Sequence, residues 1–257
     1  MMLPHSVAYT NATLPLLIAA VFVLAGVVKG LVGLGLPTIS MALLTLMIAP
    51  AEAAALLIVP SLLTNIWQIR PLRALGSMLR RLAPMQLGVC VGTLTGAWAL
   101  GAPAGAWAVV CLGAALIGYG LWGLAGARMC VSPMTERWLG PLVGVVTGVV
   151  TAATGVFVIP AVPYLQALGL ERDELIQAMG ISFTVSTLAL AAGLYFNARY
   201  SSATLGVSSL MLLPAVVGMV AGQHLRLRLS SALFRPFFLG SLILLGIYLI
   251  AKEVLAH

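Results

Sequence analysis

The sequence predicts an all-α polytopic membrane protein made of two inverted-topology repeats. Each repeat is expected to hold a broken or re-entrant helical hairpin and three transmembrane helices, giving about 8–10 membrane segments. Three observations predict this: an apolar composition, long stretches without charge, and a match between the two halves. Of the 257 residues, 61% are hydrophobic and 7% are charged, and the mean hydropathy is +1.12. Because a soluble domain carries about a quarter charged residues, this composition excludes one.

The apolar stretches are long enough to cross a membrane, since a spanning helix needs about 20 predominantly apolar residues. Stretches without Asp, Glu, Lys or Arg include 30–51, 53–69, 82–127, 138–170, 175–198, 200–225 and 236–251. The N-terminus has no basic segment before its apolar run, so we expect the first run to be a retained span rather than a cleaved signal peptide.

Two apolar stretches contain glycine-rich breaks, "GVVKGLVGLGLP" from Gly26 to Pro37 and "GVVTGVVTAATGVFVIP" from Gly144 to Pro160. Each break divides a hairpin, and the predicted arms are residues 12–32, 34–49, 138–152 and 155–168. Most of these arms are slightly short for a full span, so they are either steep crossings or re-entrant arms that turn near the midplane. Broken backbone at membrane depth survives only against protein or a watery cavity.

The two halves match along their length. Gly26, Gly30, Glu52 and Thr64 correspond to Gly144, Gly148, Glu174 and Ser186. Each half then adds two apolar spans, at 82–100 and 104–124 in one and at 203–223 and 236–252 in the other. We therefore expect the first repeat at 1–127 and the second at 128–257. Paired breaks in an internal repeat are typical of the substrate site of secondary transporters.

Basic loops orient the repeats, because lysine and arginine are retained on the cytoplasmic side. Arginines cluster at 70–81 and at 224–235, and we predict both loops to be cytoplasmic. The first hairpin then enters from outside and the second from inside, so the halves are inverted and both termini are periplasmic. The net charge of +7 is explained by these loops without a nucleic-acid partner.

Candidate anion ligands are of three types. Helix N-termini near Pro37 and Gly155 carry unpaired amides and a partial positive charge. Hydroxyl and amide side chains follow the breaks, and Lys29 is the one charged residue between 13 and 51. The predicted substrate-binding residues are Lys29, Gly33, Gly35, Thr64, Asn65, Gln68, Thr151, Thr154, Gly155, Ser182 and Ser186.

Each candidate has a structural alternative. Lys29 either attracts the anion, lines a vestibule, or extends to the cytoplasmic headgroups. Asn65 and Gln68 either bind the ligand or bond neighbouring helices. The GxxxG glycines favour close helix packing. Glu52 and Glu174 favour complementing a helix dipole over coupling protons.

The segments "KGLVGLGLP", "LLTNIWQ" (Leu62 to Gln68) and "GVVTGVVTAATGVFVIP" resemble the sulfite exporter TauE/SafE family, also called toluene sulfonate uptake permeases. The resemblance covers residues 13–252. In residues 151–155 this chain has Thr-Ala-Ala-Thr-Gly where relatives often carry a run of glycines. The resemblance implies transport of a small sulfur anion or a related carboxylate across the bacterial inner membrane.

We therefore expect a secondary transporter that moves sulfite, an organosulfonate or a related anion by alternating access. An anion channel and a non-transporting structural subunit are the alternatives. The sequence has no HExxH or GxSxG motif and no spacing typical of a metal site, so we expect no enzyme, metal or cofactor. The expected partners are the anion and the lipid bilayer, and a homodimer is left open.

Overall fold

A computed structural model of the chain describes residues 13–70, 75–126, 130–226 and 231–255. Regular structure in these ranges is entirely helical, which confirms the predicted all-α class. The helices are α1 (Thr13–Val32), α2 (Leu36–Leu44), α3 (Pro50–Gln68), α4 (Leu75–Leu100), α5 (Gly105–Ala125), α6 (Pro133–Thr154), α7 (Ala161–Ala167), α8 (Arg172–Phe196), α9 (Ser202–Leu210), α10 (Leu212–Arg226) and α11 (Ser231–Leu255). The predicted repeat boundary at 127 and 128 and both chain termini lie outside the described residues.

Seven helical segments in the described residues are long and apolar enough to cross a membrane. They are α1, α3, α5, α6, α8, α11 and the continuous pair α9 and α10. Helix α4, with 26 residues, also has the length to cross, but it begins beside Arg80 and Arg81 and is more polar. These lengths confirm a polytopic membrane protein, whereas the inverted repeat stays a prediction.

Each predicted hairpin consists of one long and one short helix. Helices α1 and α6 have 20 and 22 residues, enough for a full crossing. Helices α2 and α7 have only nine and seven residues, or roughly 10–14 Å at about 1.5 Å per residue. The first arm of each hairpin is therefore long enough for a full crossing. The second arm is too short to cross, so its length is that of a re-entrant arm.

Glycines in the left-handed region turn the chain at both breaks. Gly33 and Gly155 follow the ends of α1 and α6 with φ of 76° and 70°, and Gly35 precedes α2 with φ of 108°. Only glycine adopts this region without a Cβ penalty. At the second break the Thr154 hydroxyl also accepts from the Val156 amide at 3.1 Å, which satisfies one backbone donor.

Glycine stripes bring two pairs of long helices into close parallel contact. Helix α1 packs on α10 through Gly26 and Gly30, where an added Cβ would overlap the carbonyl oxygens of Ala215 and Met219. Gly218 and Gly222 of α10 approach α1 in the same way. The packing alternative for the GxxxG glycines is thus the one that the structure supports.

Helices α4 and α6 form the second glycine-mediated pair. Gly144 and Gly148 of α6 lie against the carbonyl oxygens of Met85 and Val89 on α4. Gly88 and Gly92 of α4 approach α6 reciprocally. Each pair thus joins one helix of the N-terminal half to one helix of the C-terminal half, so the two halves pack against each other through these pairs.

Helices α3 and α8 occupy the centre of the molecule. They contact each other, and 61% of the spanning window of each is buried, against 22–44% for the other spans. The outer helices expose large apolar side chains, including Leu87 and Trp98. An apolar surface of this extent is suited to lipid and not to water.

A bidentate ion pair ties the second hairpin together. Arg81 at the start of α4 donates to both carboxylate oxygens of Glu136 on α6, at 2.7 and 2.8 Å. The same guanidinium donates to the Leu168 carbonyl at 3.3 Å, just after α7. The starts of α4 and α6 and the end of α7 therefore lie at one face of the molecule.

Candidate functional site

Lys29 lies near the end of α1 and is buried, with 5% of its surface exposed. Its ammonium donates to the Asn65 side-chain oxygen on α3. Asn65 is fully buried, and its Nδ2 has no hydrogen-bond partner among the described residues. A lysine that extended to the headgroups would be exposed, so this burial argues against that alternative.

Gln68 connects the first break to the second half. Its Nε2 donates to the Gly33 carbonyl at 3.1 Å and to the Ile176 carbonyl of α8 at 3.4 Å. In the other direction, Gln177 of α8 donates to the Ile69 carbonyl at 2.9 Å. The end of α3, the break after α1 and the first turns of α8 are thereby held together.

A cavity of about 250 Å³ opens beside this network, and we call it the lysine cavity. Four predicted site residues line it, namely Lys29, Gly33, Thr64 and Gln68. Arg70, Gln223 and Arg226 also line it, and no aspartate or glutamate is among its described lining residues. The cavity therefore presents cationic and amide groups from both halves and has no acidic side chain to oppose an anion.

The remaining predicted site residues do not line the lysine cavity. Asn65 accepts the hydrogen bond from Lys29, and Gly35 is the N-cap residue of α2. Thr151 and Thr154 donate to carbonyls one turn earlier in α6, both at 2.7 Å, so their hydroxyl hydrogens are already used. Gly155 faces the Met41 side chain of α2. Ser182 and Ser186 are fully buried on α8 without a hydrogen-bond partner in the described part of the chain.

The profile of the family described as Sulfite exporter TauE/SafE matches residues 18–249. The chain belongs to the TauE/SafE sulfite exporter family. The match runs from α1 into α11 and thus includes both breaks and the lysine cavity. Comparison with curated proteins and with solved structures gives no match.

Membership of the TauE/SafE family identifies the chain as a multi-pass membrane protein of a transporter family. The family is one of exporters, which agrees with the helices of spanning length and with the expectation of no enzymatic activity. Glu52 and Glu174 fit the alternative in which an acidic residue complements the dipole at the start of a helix. Glu52 is exposed at the start of α3, and Glu174 closes a capping box with the Glu171 amide at 3.1 Å.

Sequence reasoning missed three polar residues of this TauE/SafE chain that line the cavity. The sequence identifies Arg70 and Arg226 only as topology signals, and it does not distinguish Gln223 from the rest of its apolar stretch. Gln223 follows Gly222 in the glycine stripe of α10, and its backbone lies against Gly30 of α1. A polar residue next to a packing glycine was the available signal, because such a residue lies at the rim of a helix crossing.

Sequence reasoning also missed buried hydroxyl groups on α2, α3 and α6. Thr38, Ser40, Ser61 and Thr147 are fully buried, and their hydroxyls have no hydrogen-bond partner among the described residues. A buried polar group without a partner costs about 1–3 kcal/mol. The interior of this TauE/SafE chain is therefore more polar than its helix packing requires.

At the opposite face of the molecule, the ends of α4 and α8 lie close together. There, a cavity of only about 10 Å³ lies between α4 and α8, lined by Thr93, Ala97, Leu190 and Asn197 among others. Asn197 donates to the Ala97 carbonyl at 3.1 Å across this contact. The structure therefore has a cavity of about 250 Å³ near Arg70 and Arg226 and a close contact between α4 and α8 at their far ends.

Proposed function

We propose that this chain is a secondary carrier for a small sulfur or carboxylate anion, such as sulfite or an organosulfonate, and that the lysine cavity is its binding site. The observation that carries the proposal is the convergence of Lys29, Gln68, Arg70, Gln223 and Arg226 on one cavity between the halves. The TauE/SafE family match supports the substrate class.

The charge of the cavity favours an anion. Moving an unpaired ionised group out of water into an apolar medium costs on the order of tens of kcal/mol, so its hydration must be replaced by protein donors. Lysine and arginine supply charge-assisted hydrogen bonds, and the glutamine amides add neutral donors. Gly33 lines the same cavity, and the nearest atom to a Cβ built there is the Gln68 Nε2 at 4.0 Å, which leaves room for a ligand near the backbone.

The size of the cavity favours a small solute. Its volume of about 250 Å³ is just below the ~300–1,000 Å³ typical of pockets for drug-sized ligands. A sulfite ion or a short sulfonate is in keeping with this space, whereas a bulky organic anion would require the cavity to expand.

The different sizes of the cavities at the two faces support alternating access. Corresponding elements at the two ends of the molecule, the regions around Gln68 and around Leu190, line cavities of about 250 and about 10 Å³. A carrier must close one side before it opens the other, and one such state has one open and one closed cavity. We propose that the open face is cytoplasmic, because Arg70 and Arg226 lie there.

Helix directions support the predicted inversion of the repeats. Helix α3 ends where α8 begins, since Gln68 contacts Ile176. Helix α1 ends at the face where α6 begins, if Arg81 and Arg70 share the cytoplasmic side. We therefore propose two inverted repeats, at 1–127 and 128–257, with cytoplasmic loops at 70–81 and 224–235. We also propose that the chain lies in the inner membrane with both termini periplasmic.

An anion channel and a structural subunit are the competing functions. A channel needs a continuous path when open, and the close contact of Asn197 with Ala97 between α8 and α4 favours a carrier. A carrier would show counterflow, in which unlabelled anion on one side accelerates entry of labelled anion. A channel would show flux without counterflow, and a subunit would show no flux when purified alone.

The test is flux of radiolabelled sulfite into proteoliposomes containing the purified chain. We expect counterflow in the wild type and at least a tenfold loss of flux in Lys29→Ala, because the variant lacks the one lysine in the cavity. Lys252→Ala is the matched control, since the sequence has only these two lysines and Lys252 is exposed in the last turn of α11. Full flux in Lys29→Ala would remove Lys29 from the site, and absence of flux for sulfite, sulfonates and carboxylates would contradict the carrier.

A further inference from the structure

A second cavity of about 250 Å³ lies beside the lysine cavity, and three arginines line it. Arg172 begins α8, Arg226 ends α10 and Arg235 lies in the first turns of α11. We call this space the arginine cavity. It shares Gly33, Ile176 and Arg226 with the lysine cavity, so the two are neighbours at the same face.

The three guanidinium groups have no ion-pair or hydrogen-bond partner in the part of the chain that the structure describes. The ion pair found there is between Arg81 and Glu136, at a different place. Acidic side chains do occur close by in sequence, at Glu171, Asp173 and Glu174, but none of them lines the cavity. The three arginines therefore place positive charge around one space, and no acidic side chain is among its described lining residues.

The arginine cavity also has an apolar and aromatic lining. Tyr119 and Trp122 of α5 and Phe238 of α11 line it, together with Leu31 at the end of α1. A guanidinium binds tetrahedral and planar oxyanions through paired N–H donors, and the apolar wall accommodates the uncharged part of a ligand. The combination fits a ligand with an oxyanion head.

We propose that the arginine cavity is a second binding site, for a ligand with a phosphate- or sulfonate-type head, held by Arg172, Arg226 and Arg235. Two sources share this chemistry: a free anion in solution, and the headgroup of an anionic lipid in the leaflet beside the basic loops. The proposal does not rest on transport through the lysine cavity, because two of its three arginines lie outside that cavity.

The test compares the wild type with the double variant Arg172→Gln/Arg235→Gln, which leaves Lys29 and Arg226 in place. Sulfate-dependent thermal stabilisation in a lipid-free neutral detergent reports a free anion. Retention of phosphatidylglycerol relative to phosphatidylcholine in native mass spectrometry reports a lipid headgroup. We expect at least a tenfold weaker response to one of these probes in the double variant.

Arg80→Gln is the matched control, because Arg80 is exposed on α4 and lines neither cavity. Because the lysine cavity is itself proposed to bind small oxyanions, the same comparison is repeated in the Lys29→Gln background, where the remaining sulfate response should still fall with Arg172→Gln/Arg235→Gln. Loss of the sulfate response alone would identify a free anion, and loss of lipid retention alone would identify a headgroup. If the double variant does not fold, Arg235→Lys, which keeps the charge but loses the paired donors, should weaken the response by a smaller factor.

An unchanged response to both probes in the double variant would overturn the proposal. So would an equal loss in Arg80→Gln, which would indicate attraction to surface charge in general. Absence of both responses in the wild type would overturn it as well.

Discussion

Lys29 of α1 and Asn65 of α3 form a buried polar contact within the first half of the chain. The ammonium has its described hydrogen bond with Asn65, and both residues are buried. An ammonium carries three donors, so Asn65 leaves donors free toward the lysine cavity. Asn65 is therefore expected to position Lys29, while Lys29 itself meets the ligand.

Replacement of Asn65 by leucine should destabilise the protein, because it leaves the Lys29 ammonium buried without this acceptor. The expected loss is about 1–3 kcal/mol, the range for a buried polar group that loses its partner. Thermal unfolding in detergent measures it. The double variant Lys29→Leu/Asn65→Leu should recover part of the loss, since it removes both polar groups. Strictly additive losses would contradict a direct pair.

Single residues also mark the limit of what the sequence predicts about the site. Lys29, Gly33, Thr64 and Gln68 could be selected because each is unusual in an apolar stretch or follows a break. Gln223 and the cavity-facing role of Arg226 could not, because the side of a helix that faces a cavity depends on how that helix crosses its neighbours. That crossing is set by glycine contacts between residues about 190 positions apart in the chain.

At the scale of elements, the glycine pairs explain why the helices approach so closely. Gly222 and Gly206 lie in the same spanning segment, and they differ in their surroundings. A Cβ at Gly222 would overlap the Val27 carbonyl of α1, whereas a Cβ at Gly206 meets nothing within 4 Å. One identical substitution at these two positions therefore separates packing from helix propensity.

Gly222→Ala should lower stability by about 1–3 kcal/mol, the usual cost of overpacking. Gly206→Ala should be neutral or stabilising by up to about 1 kcal/mol, because alanine is the better helix former. Denaturation of both variants in the same detergent measures the difference. Equal effects would mean that α1 and α10 do not meet through this stripe.

The two breaks also differ in how much they tolerate a side chain. A Cβ at Gly33 has its nearest neighbour at 4.0 Å, so Gly33→Ala should cost only the left-handed backbone penalty of about 1–2 kcal/mol. Gly155→Ala should cost more, because the Cβ also meets the Met41 side chain at 2.9 Å. Adding Met41→Ala should relieve the excess at Gly155, and thermal unfolding of the three variants checks it.

The sequence predicts that the two hairpins exist, but it does not predict the lengths of their second helices. The breaks were visible as glycine, threonine and proline clusters, and they lie where expected. The second arms were predicted at 34–49 and 155–168, whereas the helices are Leu36–Leu44 and Ala161–Ala167. The Thr45 hydroxyl donates to the Met41 carbonyl at 2.7 Å near the end of α2, and such local bonds compete with helix continuation.

At the scale of the whole molecule, the two faces differ in access. Gln223 is exposed at the open lysine cavity, and Thr93 is fully buried at the closed cavity. These two positions occupy comparable places, each on a helix of a glycine-mediated pair. They are therefore suitable reporters of which side is open.

Cysteine labelling should distinguish the two positions once Cys90, Cys111 and Cys130 have been replaced by alanine. In sealed inverted membrane vesicles a membrane-impermeant maleimide should modify Gln223→Cys rapidly and Thr93→Cys at least tenfold more slowly, because only the first lines an open cavity. Methanesulfonate, which unlike sulfite does not react with maleimide, should slow modification of Gln223→Cys. Faster labelling of Thr93→Cys from this side would reverse the proposed orientation.

The packing of helices from one half against helices of the other half has a consequence for motion. Since α1 is interlocked with α10, and α6 with α4, neither pair can slide apart without separating backbones that are in contact through glycine. We expect each pair to move as a single rigid body, so each mobile unit of the cycle would combine one helix from each half of the chain. A covalent cross-link within either pair should then leave turnover intact, whereas one between α3 and α8 should arrest it.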